Sequence, residues 1–373
     1  MGIYEELGIR KVINGSATLT RLGGSLMPKV VLDAMMEAAQ TFVDIVELQK
    51  RVGEEIARLT RNEAAYVSCG AAAGLVISTA ACITGLDPEK RERLPHLEGM
   101  KNEVIVHKYG RVGYDYAIRQ VGVKLVEIGR PEGTTAEEME AAITDRTTAI
   151  FHFPNAYRDP VQLPMAEGIK IAKKHNVPFI VDAAAQLPPH SNLWHYTAEL
   201  GADLSIFSGG KGLRGPQSSG LILGRKDLIE ACAFNGPPSA FIGRGMKVGK
   251  EEMVGLLAAV KWYLSLDHEE LMNTYERQVQ FCLDELSQIP HVTARRNFPS
   301  EAGQPMPRAE IIFDEEKLGI TRNEILRQLK EGEPSIEISG AGANGVFINP
   351  QTLNEGEECI IAERLKEVIG AKR

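Results

Sequence analysis

The stretch SIFSGGKGLRGPQSSG, residues 205–220, sets one lysine, Lys211, among five glycines, four serines and a proline. It follows directly on the apolar run that begins at Ala202. ADLSIFS predicts a buried strand, and Ser-Gly-Gly predicts a tight turn at its carboxyl end that presents the lysine. An amine held there is partly desolvated. Desolvation favours its neutral form and makes it a nucleophile able to form a Schiff base. A phosphate loop is the rival reading of Gly-Lys, and it fails. GxxxxGK[ST] needs Gly at 205 and Ser or Thr at 212, where this chain has Ser205 and Gly212. A surface lysine in a glycine loop is the plain alternative.

Working outward, short apolar runs alternate with helix-like segments from about residue 62. AAYVSCG, EVIVHK, KLVEIG, TAIFHF, VPFIVDAAA, ADLSIFS and GLILG read as strands. AAGLVISTAACITG, YDYAIRQVG, TTAEEMEAAI, AEGIKIAKKH and HYTAELG read as helices between them. Strands with little alternation are buried on both faces, so the pattern predicts an α/β fold with a mostly parallel sheet. After about residue 250 comes a long helical stretch, EEMVGLLAAVKWYLSLDHEELMNTYERQVQFCLDELSQI. Short strands HVTARR, RAEIIFD, IEISG and GVFINP follow, with helices TRNEILRQLKEG and GEECIIAERLKEVIGAK. That predicts a smaller α+β C-terminal domain. The expected division is 1–45 as an N-terminal segment contributing to the active site and the small domain, 46–250 as the large cofactor-binding domain, and 251–373 as the small domain.

Two further sites stand out. SCGAAAGL, residues 68–75, puts small residues between a strand and a helix, where backbone N–H groups and the helix N-terminus favour an anion. The alternative is a tight packed turn. Asp182 ends the apolar strand VPFIVD, and Gln186 follows four residues on. In open parallel sheets ligands bind at the carboxyl ends of strands, and an acid there needs a cation or donor to be buried. A cap or turn role is the alternative for an isolated Asp. Taken together, an anion cradle, a strand-end carboxylate and a nucleophilic lysine match what pyridoxal 5′-phosphate requires for its phosphate, ring nitrogen and aldehyde.

The order and spacing resemble fold-type I pyridoxal-phosphate enzymes. FSGGKGLRGPQSSGLILG, GRGMKVGKEEMVGLLAA and VINGSATLTRLGG resemble the selenocysteine-synthase-like group, and within it D-glucosaminate-6-phosphate ammonia-lyase-type proteins. The resemblance covers nearly the whole chain. It implies Lys211 as the Schiff-base lysine and Asp182 as the partner of the ring nitrogen. It implies a phosphate site of Ser68, Gly70, Ala71, Ala72 and Ser208, with Asn155 near the phenolic oxygen. The residue stacked on the ring falls at His107, with Tyr109 as its rival and a core or surface histidine as the plain alternative. Gln186 is a further cofactor candidate. Arg21, Arg214 and Arg244, with Lys247, are the candidate substrate cations, because the guanidinium fork suits carboxylate and phosphate. AAAQ follows the strand acid where true selenium transferases carry a glycine-rich stretch. Those enzymes also have an added N-terminal tRNA-binding domain, whereas here the core begins almost at Met1. The implied activity is loss of ammonia from an amino-sugar acid phosphate or related hydroxy-amino acid. Selenium transfer on an aminoacyl-tRNA is the alternative, as is another pyridoxal-phosphate reaction: C–S lyase, racemase, aldolase or aminotransferase. A non-enzymatic cofactor-binding role predicts no turnover at all.

Composition narrows the field. The chain has 373 residues, 43% hydrophobic and 25% charged, with a net charge of −8, so a basic nucleic-acid surface is not expected. The five cysteines are scattered, with no CxxC pair, as free thiols in a reducing compartment would be. No metal site is expected. The N-terminus has no apolar signal region, no run is long enough to span a membrane, and Glu6 stands where a myristoylation motif wants Ser or Thr. The expectation is a cytoplasmic enzyme acting on a small molecule, as a homodimer or larger homo-oligomer.

Overall fold

Seven apolar runs form one sheet in the computed structural model, which describes residues 2–370. The strands are β2 (Ala64–Ser68), β3 (Glu103–His107), β4 (Lys124–Ile128), β5 (Thr147–His152), β6 (Phe179–Asp182), β7 (Leu204–Ser208) and β8 (Gly220–Gly224), after β1 (Val12–Gly15) elsewhere. Their order is β2-β8-β7-β6-β5-β3-β4. The pairs from β4 to β7 are all parallel, and β8 runs antiparallel to both its neighbours. Only residues 209–219, the Lys211 loop, join β7 to β8. A parallel crossover needs about a dozen residues or more, so the chain turns back on itself here. β3 and β5 are buried at every position, as continuous apolar runs in a two-sided sheet should be.

The helices between strands cover both faces. Ala71–Thr84 is apolar all round and buried at nearly every position from Ala73 on. Ala136–Ala142 starts at a capping box in which Thr135 and Glu138 bond each other's backbone N–H. Edge strand β2 is covered by Ile45–Leu59, where the Gln49 side chain both donates to the Val67 carbonyl (2.6 Å) and accepts from its N–H (3.2 Å). One side-chain amide thus pairs a strand edge that would otherwise be open.

The long helical stretch after residue 250 is two helices, Lys250–Ser265 and His268–Leu286. Asp267 ends the first and caps the second, accepting from the N–H groups of Glu269 (3.1 Å) and Glu270 (3.0 Å). This break separates the two compact units of the chain. The larger holds Leu26–Leu266 and Glu301–Gln304; the smaller holds the residues up to Ser25, Asp267–Ser300 and those from Pro305 on. The divisions therefore lie at 25/26 and 266/267, not at 45 and 250. Helix Lys29–Ala39 packs on Lys250–Ser265, and a Cβ on Gly255 would lie 2.7 Å from Met35, so both helices belong to the larger unit. The smaller unit has a five-stranded sheet, β1-β11-β12-β10-β9, with β9 (Val292–Asn297), β10 (Arg308–Phe313), β11 (Ser335–Ala341) and β12 (Gly345–Ile348). β1 pairs parallel with β11, and the remaining pairs are antiparallel. The expected last helix is Glu357–Gly370; its final residues, 371–372, lie outside the described residues, as does Met1.

Candidate active site

The register of the large sheet brings three predicted residues to one edge and one face. Gly220, the first residue of β8, stands opposite Ser68 on one side and Ser208 on the other. Ile206, two residues before Ser208, pairs with Asp182. Side chains two apart share a face, so Ser68, Ser208 and Asp182 project from the same face at the carboxyl ends of their strands. Helix Ala71–Thr84 packs on that face: a Cβ on Gly74 would lie 2.8 Å from Ile206 and 3.6 Å from Ser68 Oγ.

The candidate anion cradle is built from backbone. Gly70 caps that helix with φ +149°, a conformation a side chain disfavours, and a Cβ there would meet nothing within 4 Å. No side chain caps the helix N-terminus, so first-turn N–H groups at Ala71 and Ala72 have no capping partner. Ser68 Oγ donates to the Gly70 carbonyl (2.9 Å), so it shapes the turn and its proton is committed there. A Cβ on Gly220 would lie 2.4–2.6 Å from Gly70 and Ser68. Gly220→Ala should therefore push the cradle out of place, with weaker cofactor uptake and a stability loss of about 1–3 kcal/mol, read from a denaturation midpoint.

Asp182 and Lys211 shift one another. Burial pushes the Asp182 carboxyl up, opposed by the Ala184 N–H (3.1 Å) and by the nearby Lys211 charge. Burial pushes the Lys211 amine down, opposed by Asp182. Each is the charge the other lacks. The loop holding Lys211 is locked by backbone: Gly209 donates to the Ser219 carbonyl (2.9 Å), Gly215 to Gly209 (2.8 Å) and Arg214 to Lys211 (2.9 Å). Gly209, Gly210 and Gly212 all sit where a Cβ would come within 2.8 Å of a neighbour. The glycines that flank the lysine are close-packing residues.

Other predicted residues are placed differently. His107 ends β3 beside His152 of β5, and both lie on the face opposite Asp182, with Ile105 and Ile150. Their rings meet edge to face at 5.4 Å, and His107 Nε2 accepts the Leu163 N–H (3.2 Å). Both rings are buried with Nδ1 unpaired. The position of His107 therefore does not carry a ring-stacking role. Gln186 is buried and donates to the carbonyls of Pro154 (3.3 Å) and Ala302 (2.6 Å), so its amide ties the Pro154 segment to residues 301–304. Asn155 Oδ1 accepts from the Tyr157 N–H (3.1 Å) in a local turn, which leaves Nδ2 to donate outward. Arg214 has φ +54° and donates from Nε to the Leu26 carbonyl (2.8 Å). Arg21, in the smaller unit, is clamped on Glu337 by two contacts of 2.9 and 3.0 Å. Arg244 and Lys247 are exposed and line a separate groove of about 850 Å³ beside β2. The reading from sequence missed Tyr114, whose ring centre is 6.0 Å from Lys211 Nζ. Nothing local marks it out, since it lies in a short turn between β3 and the helix Tyr116–Arg119.

The histidine pair has a consequence for pH. Burial pushes His107 down to about 4 and His152 to about 3 from an ordinary value near 6.5, with His107 adding to the shift of His152. Both are neutral in the fold, and the unfolded chain takes up their protons first. Their contribution to stability is thus complete above pH 6.5 and is lost as pH falls from there through 4 to 3. At about 1.4 kcal/mol per unit, His107 alone accounts for a loss of about 3 kcal/mol by pH 4. His107→Gln should flatten the fall of the denaturation midpoint between pH 6.5 and 4.

Comparison with known proteins places this geometry. The family model described as SelA: L-seryl-tRNA selenium transferase matches residues 12–276. The chain is 34% identical over 373 residues to a D-glucosaminate-6-phosphate ammonia lyase of Salmonella typhimurium, covering 98% of this chain and 97% of the relative. It is 32% identical to a 5′-C-glycyluridine monooxygenase-decarboxylase of a Streptomyces species, covering 98% and 92%. A solved structure of a D-glucosaminate-6-phosphate ammonia-lyase superposes with a TM-score of 0.87 at 32% identity, over 100% of this chain and 99% of that one. The strand-end carboxylate, the lysine loop and the uncapped helix thus sit in a framework shared along the whole length of these relatives, and the chain belongs to the SelA family.

Proposed function

We propose that this chain is a pyridoxal-phosphate-dependent lyase that releases ammonia from an amino-sugar acid phosphate or a related hydroxy-amino acid. The observation that carries the reading is the half-buried Asp182–Lys211 pair at adjacent strand ends, on the sheet edge that also holds an uncapped helix N-terminus. The residues fit the cofactor. The open space over Gly70 and the uncapped N–H groups of Ala71 and Ala72 suit its phosphate, with Ser208 at a nearby strand end on the same face. Asp182, half-buried with Lys211 as its nearby positive charge, suits its ring nitrogen, and Asn155 Nδ2 its phenolic oxygen. When bound, the cofactor supplies a sink for the electron pair left on the substrate's α-carbon.

The chain's own groups do the rest. Lys211 Nζ, with its pKa lowered by burial, is neutral more readily than a surface lysine, so it can bond the cofactor's aldehyde carbon. With substrate in the site, Nζ would stand free at the same place to take the α-proton. Asp182 would hold a proton on the ring nitrogen, and the locked glycine loop keeps Nζ in place. Similarity to the Salmonella and solved lyases supports the substrate class. The family description supports selenium transfer on a tRNA as the second reading.

A homodimer is supported by a bare apolar face in the larger unit. Leu26, Val30, Met36, Phe42, Val43 and Val46 are at least half exposed, and Phe42 is wholly so. Arg244 and Lys247 lie at the groove that Val46 helps to line, so a second copy there is the route by which these cations would reach a site. Five free cysteines suit the cytoplasm. Among the described residues no helix is long and apolar enough to cross a membrane.

The test is a product screen for ammonia and 2-keto acid across amino-sugar acids, their 6-phosphates and simple hydroxy-amino acids, with a parallel arm of seryl-tRNA and selenophosphate. Keto acid from a phosphorylated sugar acid supports the lyase. Product from the tRNA arm alone overturns it.

A further inference from the structure

We propose that Tyr114 is a catalytic acid: its hydroxyl protonates the β-oxygen of the substrate as that oxygen leaves. The proposal rests on the lyase reading. Tyr114 is the aromatic side chain set against the Lys211 amine, with 6.0 Å between Nζ and the ring centre. That distance sets the ring beside the amine without stacking on it, so a substrate group held at Nζ lies within reach of the ring. The ring is 64% exposed, and its hydroxyl makes no hydrogen bond among the described residues. A phenol next to the reacting amine and open to water can give up a proton and recover one.

The turn that carries Tyr114 is anchored far more firmly than an exposed turn requires. Asp115, the next residue, is buried and held by two arginines. Arg111 meets it through two contacts of 2.7 and 3.1 Å, and Arg119 at 3.4 Å. Arg111 is tied in turn to Glu127 (2.6 Å), and its carbonyl accepts from Arg158 (2.7 Å). Asp115 thus fixes the backbone under a side chain that itself touches little protein. Such support is what a side chain that must meet a substrate requires.

The chemistry balances without any added reactant. Lys211 Nζ takes the α-proton. The bond from the β-carbon to oxygen breaks, its electron pair goes to the oxygen, and Tyr114 Oη supplies the proton, so water leaves. The phenolate regains its proton from solvent. The released 2-amino-2-ene acid takes water back and yields the 2-keto acid and ammonia. Lys211 cannot serve the leaving oxygen in the same step, because its amine is then accepting the α-proton.

The experiment compares Tyr114→Phe with wild type on two substrates: the 3-hydroxy amino acid found active in the product screen, and its 3-chloro analogue. Chloride leaves without a proton. The Phe variant keeps the ring and its packing, so it folds. It should lose about 10²–10⁴-fold in kcat on the hydroxy substrate and less than tenfold on the chloro analogue. Cofactor uptake by the apoprotein, followed by absorbance, should stay within twofold. Equal losses on both substrates, no loss on either, or a tenfold fall in cofactor uptake would each overturn the assignment. If wild type releases ammonia from no hydroxy-amino acid, the lyase reading fails first and takes this proposal with it. If wild type is active and the Phe variant is unaffected, only Tyr114 is ruled out.

Discussion

Lys211→Ala protein should come off purification without the yellow of a covalently held cofactor, and borohydride reduction of the loaded wild type should place the label on the peptide that contains Lys211. Both follow if Lys211 holds the cofactor. Lys211 is the lysine coupled to Asp182, and burial holds its amine towards the neutral, nucleophilic form. Loss of the proton-transfer role alone costs about 10²–10⁴-fold in kcat, and loss of the covalent attachment adds to it. The fold should survive, because the loop is held by Gly209, Gly215 and Ser219 through backbone bonds that the side chain does not share. Label on any other lysine, or activity within tenfold of wild type in the Ala variant, would refute the assignment.

Asp182→Asn separates binding from chemistry. The Asn variant keeps the cradle at Gly70, Ala71 and Ala72, so the phosphate still binds. It lacks the charge that keeps a proton on the ring nitrogen, and removing one preorganised charge of this kind costs about 10²–10³-fold in kcat. The apoprotein should be no less stable than wild type. Burial already disfavours ionised Asp182, so the neutral amide removes a cost that the fold carries for its site. Cofactor absorbance measures binding, keto-acid release measures turnover, and a denaturant melt measures stability. Near-normal turnover would mean that another acid faces the ring nitrogen.

The two predictions use residues of different legibility. Lys211 could be read because its signal is local: a strand, two glycines and a lysine within ten residues. The turn at Gly70 is legible for the same reason, although small residues between an apolar run and a helix leave a tight packed turn as the alternative to an anion cradle. Asp182 gained meaning only from its company, and its position at a strand end was readable from the apolar run before it. Gln186 looked equivalent four residues later, but its side chain turns back to the carbonyls of Pro154 and Ala302. No sequence pattern records which carbonyls a buried amide will find, because those partners arrive from distant segments.

What the sequence determined by itself is what repeats with a period or sits within one turn. The alternation of two-sided apolar strands with helices required an α/β sheet, because only a sheet covered on both faces buries such runs. Glycines at 209, 210 and 212 required the tight loop at Lys211. The tertiary structure alone decided what depends on register and on long-range pairing. It set β8 antiparallel and turned His107 to the face opposite Asp182. It closed Arg21 on Glu337, ended the larger unit at Leu266, and brought Tyr114 to Lys211 from 97 positions away in the chain. A pleated strand exchanges the faces of all its side chains with a one-residue slip, and that slip is chosen by the neighbouring strands. Local propensity cannot encode it. The order of the strands, the face each side chain takes and the partner each charge finds are set together, when the sheet closes.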